Sequence, residues 1–215
     1  MSQQPHQFET QTTRRLGYLL HLPPGYDDDP NHKWPLILFL HGIGERGDDL
    51  ELVKKHGIAR VVEEQPDFPF IAVSPQCPPT SWWVSKMESL TALLDHILAT
   101  YAVDPRRVYL TGLSMGGYGA WALGIAQPER FAAVAAVCGG GEPGKVCALK
   151  HTPVWAFHGE ADRVVRLSES QQMVAALQAC GGDVTLTVYP GVGHDSWTQT
   201  YTNPGLYAWF LQNTR

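Results

Sequence analysis

Hydrophobic and polar positions alternate in blocks along most of this chain. Leu36-Ile37-Leu38-Phe39-Leu40 is a continuous apolar run. Such a run predicts a strand buried on both faces of a parallel sheet. Phe70 to Val73, Val108 to Thr111, Val134 to Val137 and Val154 to Phe157 repeat the pattern, and Val184 to Tyr189 alternates as a further strand. Between the strands the period changes. Ser85 to Tyr101 places Leu90, Leu93, Leu94, Ile97 and Leu98 at helical spacing, which gives one buried stripe. Leu167 to Ala179 is amphipathic, with Gly181-Gly182 as its stop signal. The Ala- and Leu-rich segment after Gly117 reads as helix, as do Leu50 to His56 and Leu206 to Leu211.

Ahead of this alternation, Phe8 to Thr12 and Leu16 to Leu22 read as a hairpin, and residues 1–7 as a loose tail. Strand and helix alternate from Leu36 onward, which is the α/β pattern: a mostly parallel sheet with helices on both faces. No repeat or composition shift divides the chain, so one domain over residues 1–215 is expected.

Composition narrows the partners. A net charge of -5 makes no electrostatic case for nucleic acid or an anionic membrane surface. No stretch is long and apolar enough to span a bilayer, and the polar N-terminus lacks a leader's apolar core, so a cytoplasmic location is expected. The cysteines, Cys77, Cys138, Cys147 and Cys180, show neither C-x-x-C spacing nor paired histidines, which argues against zinc. Cys138 and Cys147 are close enough to bond, but free thiols are expected in the cytoplasm.

The chemistry centres on Gly112-Leu113-Ser114-Met115-Gly116, a G-x-S-x-G turn between a strand and a helix. A sharp turn strains the serine backbone and crowds the positions two before and two after it, so both favour glycine. Ligands in such sheets bind beyond the carboxyl ends of the strands. Four loops there carry polar groups: His41 to Gly47, Ser114, Asp162 and His194. A nucleophilic serine needs a base, and the base needs an orienting acid.

The pieces HGIGERGDD, SPQCPP, GLSMGGYGAW, FHGEADRVV and GVGHDSW, in this order, resemble the small serine esterases of the α/β-hydrolase superfamily. Their carboxylesterase/phospholipase and dienelactone-hydrolase-like branch, which includes peptidases, is the most similar. The resemblance implies an α/β-hydrolase fold and a catalytic set in which Ser114 is nucleophile, His194 general base and Asp162 the acid that orients it. It places the oxyanion on the backbone N–H groups of Ile43 and Met115. No metal or organic cofactor is needed.

Asp195 rivals Asp162, but a residue adjacent to His194 on a tight turn is poorly placed to orient it. Asp183 lies at the wrong end of the sheet. His41 and His158 are expected to bond their own loops, and Glu45 and Arg46 to tie down theirs. Trp82, Trp83, Trp197 and Gln76 are candidates to line the substrate site. No insertion is long enough for a large lid, which favours small, soluble, short-chain esters. The expected partner is a small-molecule ester, with no nucleic acid and no membrane; a homo-oligomer stays open. Thioesterase or lysophospholipase activity, peptidase activity, and a binding protein without catalysis are the competing readings.

Overall fold

The computed structural model describes residues 3–9 and 15–215. Eight strands form one sheet in the order β1-β2-β4-β3-β5-β6-β7-β8. They are β1 (Gln4–Glu9), β2 (Arg15–His21), β3 (Trp34–Leu40), β4 (Ile71–Pro75), β5 (Val103–Leu113), β6 (Ala133–Val137), β7 (Val154–Gly159) and β8 (Val184–Tyr189). β1 and β2 pair antiparallel, β2 runs antiparallel to β4, and the remaining neighbours are parallel. This is the α/β-hydrolase architecture.

The apolar run of β3 explains itself in three dimensions. Leu36, Leu38 and Leu40 face one core, and Ile37 and Phe39 face the other. The first core takes in α2 (Met87–Thr100), α3 (Met115–Ala126) and α4 (Leu167–Ala179), through residues such as Leu90, Trp121 and Leu177. The second packs against α1 (Gly57–Glu64), α5 (Trp197–Thr202) and α6 (Pro204–Gln212), through Ile58, Tyr201 and Phe210. A strand with helices on both sides has no polar face, so its sequence shows no alternation.

Three expectations need correction. Residues from Gln4 onward are not a tail: β1 pairs with β2 from Gln4↔Leu20 to Glu9↔Arg15. The hairpin is therefore present, but its first strand begins four residues before Phe8; residues 10–14, where that strand was expected to end, lie outside the described residues. Leu50–Lys55 forms a 3-10 turn, and the α-helix of this region is α1, which the reading along the chain passed over. Lastly, the disulfide joins Cys147 to Cys180, with Cα atoms 5.6 Å apart, while Cys77 and Cys138 are free and buried. The expectation of free thiols therefore fails for Cys147 and Cys180 and holds for Cys77 and Cys138; the bonded partners are 33 apart in sequence and come close only after α4 folds back.

The sheet order also positions the site. From β3 the chain turns one way to β4, and it then crosses back to place β5 on the other side of β3. Loops leaving β3 and β5 diverge, which opens a crevice at the switch point. The loop after β3 holds His41 to Gly47, and β5 runs directly into Ser114. Among the described residues no helix is long and apolar enough to cross a membrane.

Candidate active site

Ser114 sits at the hinge between β5 and α3 with φ 52 and ψ -117, one of two non-glycine residues at positive φ among the described residues. The conformation is costly and is held from both sides. Its N–H donates to the carbonyl of Val137 at 2.9 Å. A Cβ at Gly116 would run into the carbonyl of Leu40, and one at Gly112 into that of Gly116. Glycine at both places lets α3 approach the sheet closely enough to present the hydroxyl at its N-terminus.

His194, on the loop after β8, meets that hydroxyl: its Nε2 is 2.9 Å from Ser114 Oγ. On the other side of the ring, Nδ1 is 2.7 Å from Asp162 Oδ2. Because a carboxylate only accepts, Nδ1 carries the proton and Nε2 presents its lone pair to the serine. The Asp162 side chain is fully buried, while that of His194 is 20% exposed. The turn after Asp162 keeps its carboxylate in place, since the N–H groups of Val164 and Val165 donate to Oδ1 at 2.8 and 3.0 Å. Asp195 is not a partner of the histidine. It is exposed and accepts from the N–H and hydroxyl of Thr198 at 3.1 and 3.0 Å, in the first turn of α5.

Ile43 opens a short 3-10 turn, and Met115 is the first residue of α3. N–H groups in a first turn have no acceptor within their own helix. The loop around Ile43 is tightly braced. His41 is fully buried; its Nδ1–H donates to the Gly42 carbonyl at 2.6 Å and its Nε2 accepts the N–H of Cys77 at 2.9 Å. Burial pushes its pKa down to about 4, so the ring is neutral. Arg46 donates to the carbonyls of Ile43 and Ser81 at 3.2 and 3.1 Å, and its guanidinium lies 5.8 Å from the centre of the Trp82 ring. Glu45 is buried with Oε2 unpaired, and burial raises its carboxyl above the usual carboxylate range.

The four candidate lining residues separate. Trp82 is 48% exposed, beside Arg46. Trp197 is half-buried, with its ring edge-on to His194 at 5.2 Å. Trp83 is fully buried, and its Nε1–H donates to the His41 carbonyl at 2.9 Å. It is packing beneath the loop and not a pocket wall. Gln76 is likewise a brace: its amide donates to the carbonyls of Glu45 and Asp49 at 2.9 and 2.8 Å. These adjacent tryptophans enter opposite environments, and composition alone does not tell which of the two faces solvent.

A groove of about 770 Å³ beside the serine helix went unread in the sequence. Val84, Met87, Tyr118, Ala122, Ile125 and Lys145 are among its lining residues. Tyr118 lies one helical turn beyond Ser114, and that spacing was the available clue. Among the described residues, Cys138, Asp162 and His194 alone bring three metal-ligating atoms together, all within 4.8 Å of one another. A metal there would have to displace the proton between His194 and Asp162. Burial also pushes the Cys138 thiol up to about 12.

The chain is similar to several known esterases. The phospholipase/carboxylesterase family signature matches residues 68–203. A solved thermostable esterase superposes with a TM-score of 0.91 at 34% identity, over 100% of this chain and 64% of that one. NocK of Nocardia uniformis subsp. tsuyamanensis is 28% identical over 69% of this chain and 46% of its own length. Probable feruloyl esterase C of Aspergillus terreus is 29% identical over 73% of this chain and 58% of its own length. The chain thus spans about half the length of these two curated relatives. By family signature, sheet topology and the strained serine turn alike, the chain belongs to the phospholipase/carboxylesterase family of the α/β-hydrolase superfamily.

Proposed function

We propose that this protein is a serine carboxylic-ester hydrolase acting on small, soluble esters. The observation that carries this reading is the unbroken line from Ser114 Oγ through His194 to Asp162, with spacings of 2.9 and 2.7 Å. Ser114 Oγ attacks the ester carbonyl as its proton passes to His194 Nε2. The tetrahedral oxyanion is received by the N–H groups of Ile43 and Met115; one such donor contributes about 3 kcal/mol to transition-state stabilisation. His194 returns the proton to the departing alkoxide, which leaves as the alcohol. A water then gives a proton to the same nitrogen and attacks the acyl-enzyme, releasing the acid and restoring Ser114. Asp162 holds the tautomer and balances the imidazolium charge.

The absence of a long insertion supports short acyl groups. Between β6 and β7 the chain makes only the short 3-10 segment Pro143–Leu149, and no lid covers Ser114 from there. The groove beside α3 supports a second reading, a thioesterase or lysophospholipase whose longer acyl chain lies along Met87, Tyr118 and Ile125. The disulfide favours an oxidising compartment over the expected cytoplasm.

A panel of p-nitrophenyl esters of increasing chain length, run on wild type, Ser114→Ala and Asp162→Asn, tests the proposal. Ser114→Ala should lose turnover and labelling by a fluorophosphonate. Asp162→Asn should lose on the order of 10⁴ in kcat, because the amide stabilises the wrong tautomer. Substantial turnover by Ser114→Ala would refute the mechanism, and a preference for long chains would select the second reading.

A further inference from the structure

Three side chains scattered along the sequence meet at one point, and the proposed mechanism uses only two of them. The third is Cys138. It directly follows β6, in the left-handed region at φ 40, with its N–H donating to the Phe157 carbonyl at 2.8 Å. Its buried sulfur, a carboxylate oxygen of Asp162 and a ring nitrogen of His194 all lie within 4.8 Å of one another. His194 Nδ1 and Asp162 Oδ2 are already 2.7 Å apart. Ser196, two residues after His194, is fully buried beside the thiol, and its Oγ has no hydrogen-bond partner among the described residues.

We propose that Cys138, Asp162 and His194 form an inhibitory site for Zn²⁺, which binds the Cys138 sulfur, an Asp162 oxygen and His194 Nδ1. Thiolate, imidazole and carboxylate are the donors that zinc takes in proteins, and three of them leave a fourth position for water. Two anionic ligands balance the cation, so the buried complex carries no net charge. Zinc bonds of about 2.0–2.3 Å in a tetrahedron put ligand atoms roughly 3.3–3.8 Å apart. The contact between His194 and Asp162 must therefore open and the sulfur close in, each by about 1 Å or less. The His194 loop supplies this movement and the way in. The side chain is 20% exposed, and it follows Gly191 and Gly193, where a Cβ would meet nothing within 4 Å. The Ser196 hydroxyl is free to bond the zinc-bound water.

The proton count accounts for the inhibition. In the free protein Nδ1 carries the ring proton and Nε2 presents its lone pair to Ser114. Zinc takes the Nδ1 lone pair, so the ring proton moves to Nε2, and the Cys138 thiol releases its proton to solvent. Each ion bound frees one proton, and nothing is oxidised or reduced. Nε2–H then faces Ser114 Oγ as a donor, and the serine has no base. Burial holds the thiol proton tightly, so the site is weaker than a structural zinc site. Binding stands apart from the esterase reading; the inhibition rests on it. The neighbouring groups offer no replacement ligand. His158 donates its Nε2–H to the Val165 carbonyl at 2.9 Å and turns Nδ1 to Ser170 Oγ at 2.7 Å, and Asp195 is engaged with Thr198.

The test follows hydrolysis of a soluble short-chain ester against rising ZnCl₂ for wild type and Cys138→Ser, each relative to its own metal-free rate. Co²⁺ spectra of Ser114→Ala and of Ser114→Ala/Cys138→Ser run alongside. Zinc should inhibit the wild type, EDTA should restore the rate, and Cys138→Ser should need more than about tenfold more zinc for the same inhibition. Co²⁺ should give Ser114→Ala a thiolate charge-transfer band that saturates at one equivalent and is absent from the double variant. Equal zinc sensitivity in wild type and Cys138→Ser would overturn the proposal, as would the lack of a band. The band together with turnover indifferent to zinc would keep the metal site and move the failure to the esterase reading, since hydrolysis would then not run through His194. If Cys138→Ser does not fold, zinc X-ray absorption of the wild type carrying one equivalent decides: one sulfur neighbour at about 2.3 Å is expected, and a shell of nitrogen and oxygen alone would overturn the proposal.

Discussion

Breaking the Cys147–Cys180 bond offers a stability test whose size can be worked out beforehand. The bond closes a loop with a sequence separation of 33. In the chain-entropy account such a loop restricts the unfolded ensemble by about 3.7 kcal/mol at 25 °C. The folded state loses little besides the bond. Cys147 lies in the Pro143–Leu149 segment and Cys180 caps α4, and the two elements also pack through Val146, Leu149, Met173 and Leu177, all buried in one core. In a domain of this length 1 kcal/mol corresponds to about 2–4 °C in Tm, so the expected fall is about 7–15 °C. The assay compares thermal melts of the oxidised protein, the same protein in reductant, and Cys147→Ser/Cys180→Ser, after peptide mapping has established the bond. Turnover of a soluble ester at 25 °C should persist in all three, since neither cysteine touches Ser114, His194 or Asp162. A loss below about 1 kcal/mol would refute the argument and mean that the unfolded chain already holds this segment together.

Two further outcomes separate residues that look alike in the sequence. If the half-exposed Trp82 ring contacts substrate, as proposed for a lining residue, Trp82→Ala should raise KM for aryl esters several-fold at nearly constant stability, whereas Trp83→Ala should cost about 3–5 kcal/mol of stability because that ring is fully buried; paired Michaelis curves and urea melts decide, and the reverse pattern would contradict the burial assignment. Glu45 carries a raised carboxyl pKa, so the folded chain binds its proton more tightly than the unfolded chain does, and stability is lost as pH rises from the unfolded value through the folded one. Glu45→Gln should therefore melt above wild type at about pH 8, with the gap closing toward about pH 4; a gap independent of pH would mean that the buried charge is not what costs stability.

Much of the architecture was readable because burial on two faces writes itself into the chain. Leu36 to Leu40 could be read as a central strand because every position along it meets a helix on one side or the other. The serine turn was readable for a related reason: glycine is required wherever backbones nearly touch, and Gly112 and Gly116 are such places. Ser114, Asp162 and His194 each follow a strand, and a parallel sheet brings all such ends to one edge. Strand-end position put these three among the candidates together with His41 and His158, and the resemblance to serine esterases singled them out.

What the linear pattern did not carry is the direction of each side chain and the partner it finds. Trp82 and Trp83 have the same identity and adjacent numbers, yet one is half-exposed and the other is buried against the His41 carbonyl. Gln76 could equally have faced a substrate or two backbone carbonyls, and packing of the 45–49 loop selected the carbonyls. The Cys147–Cys180 pairing depends on α4 being packed against the Pro143–Leu149 segment. Periodicity reports which face of an element is buried, because that depends on local geometry. The identity of a contact across the fold depends on how whole elements dock, and only the tertiary structure decides it.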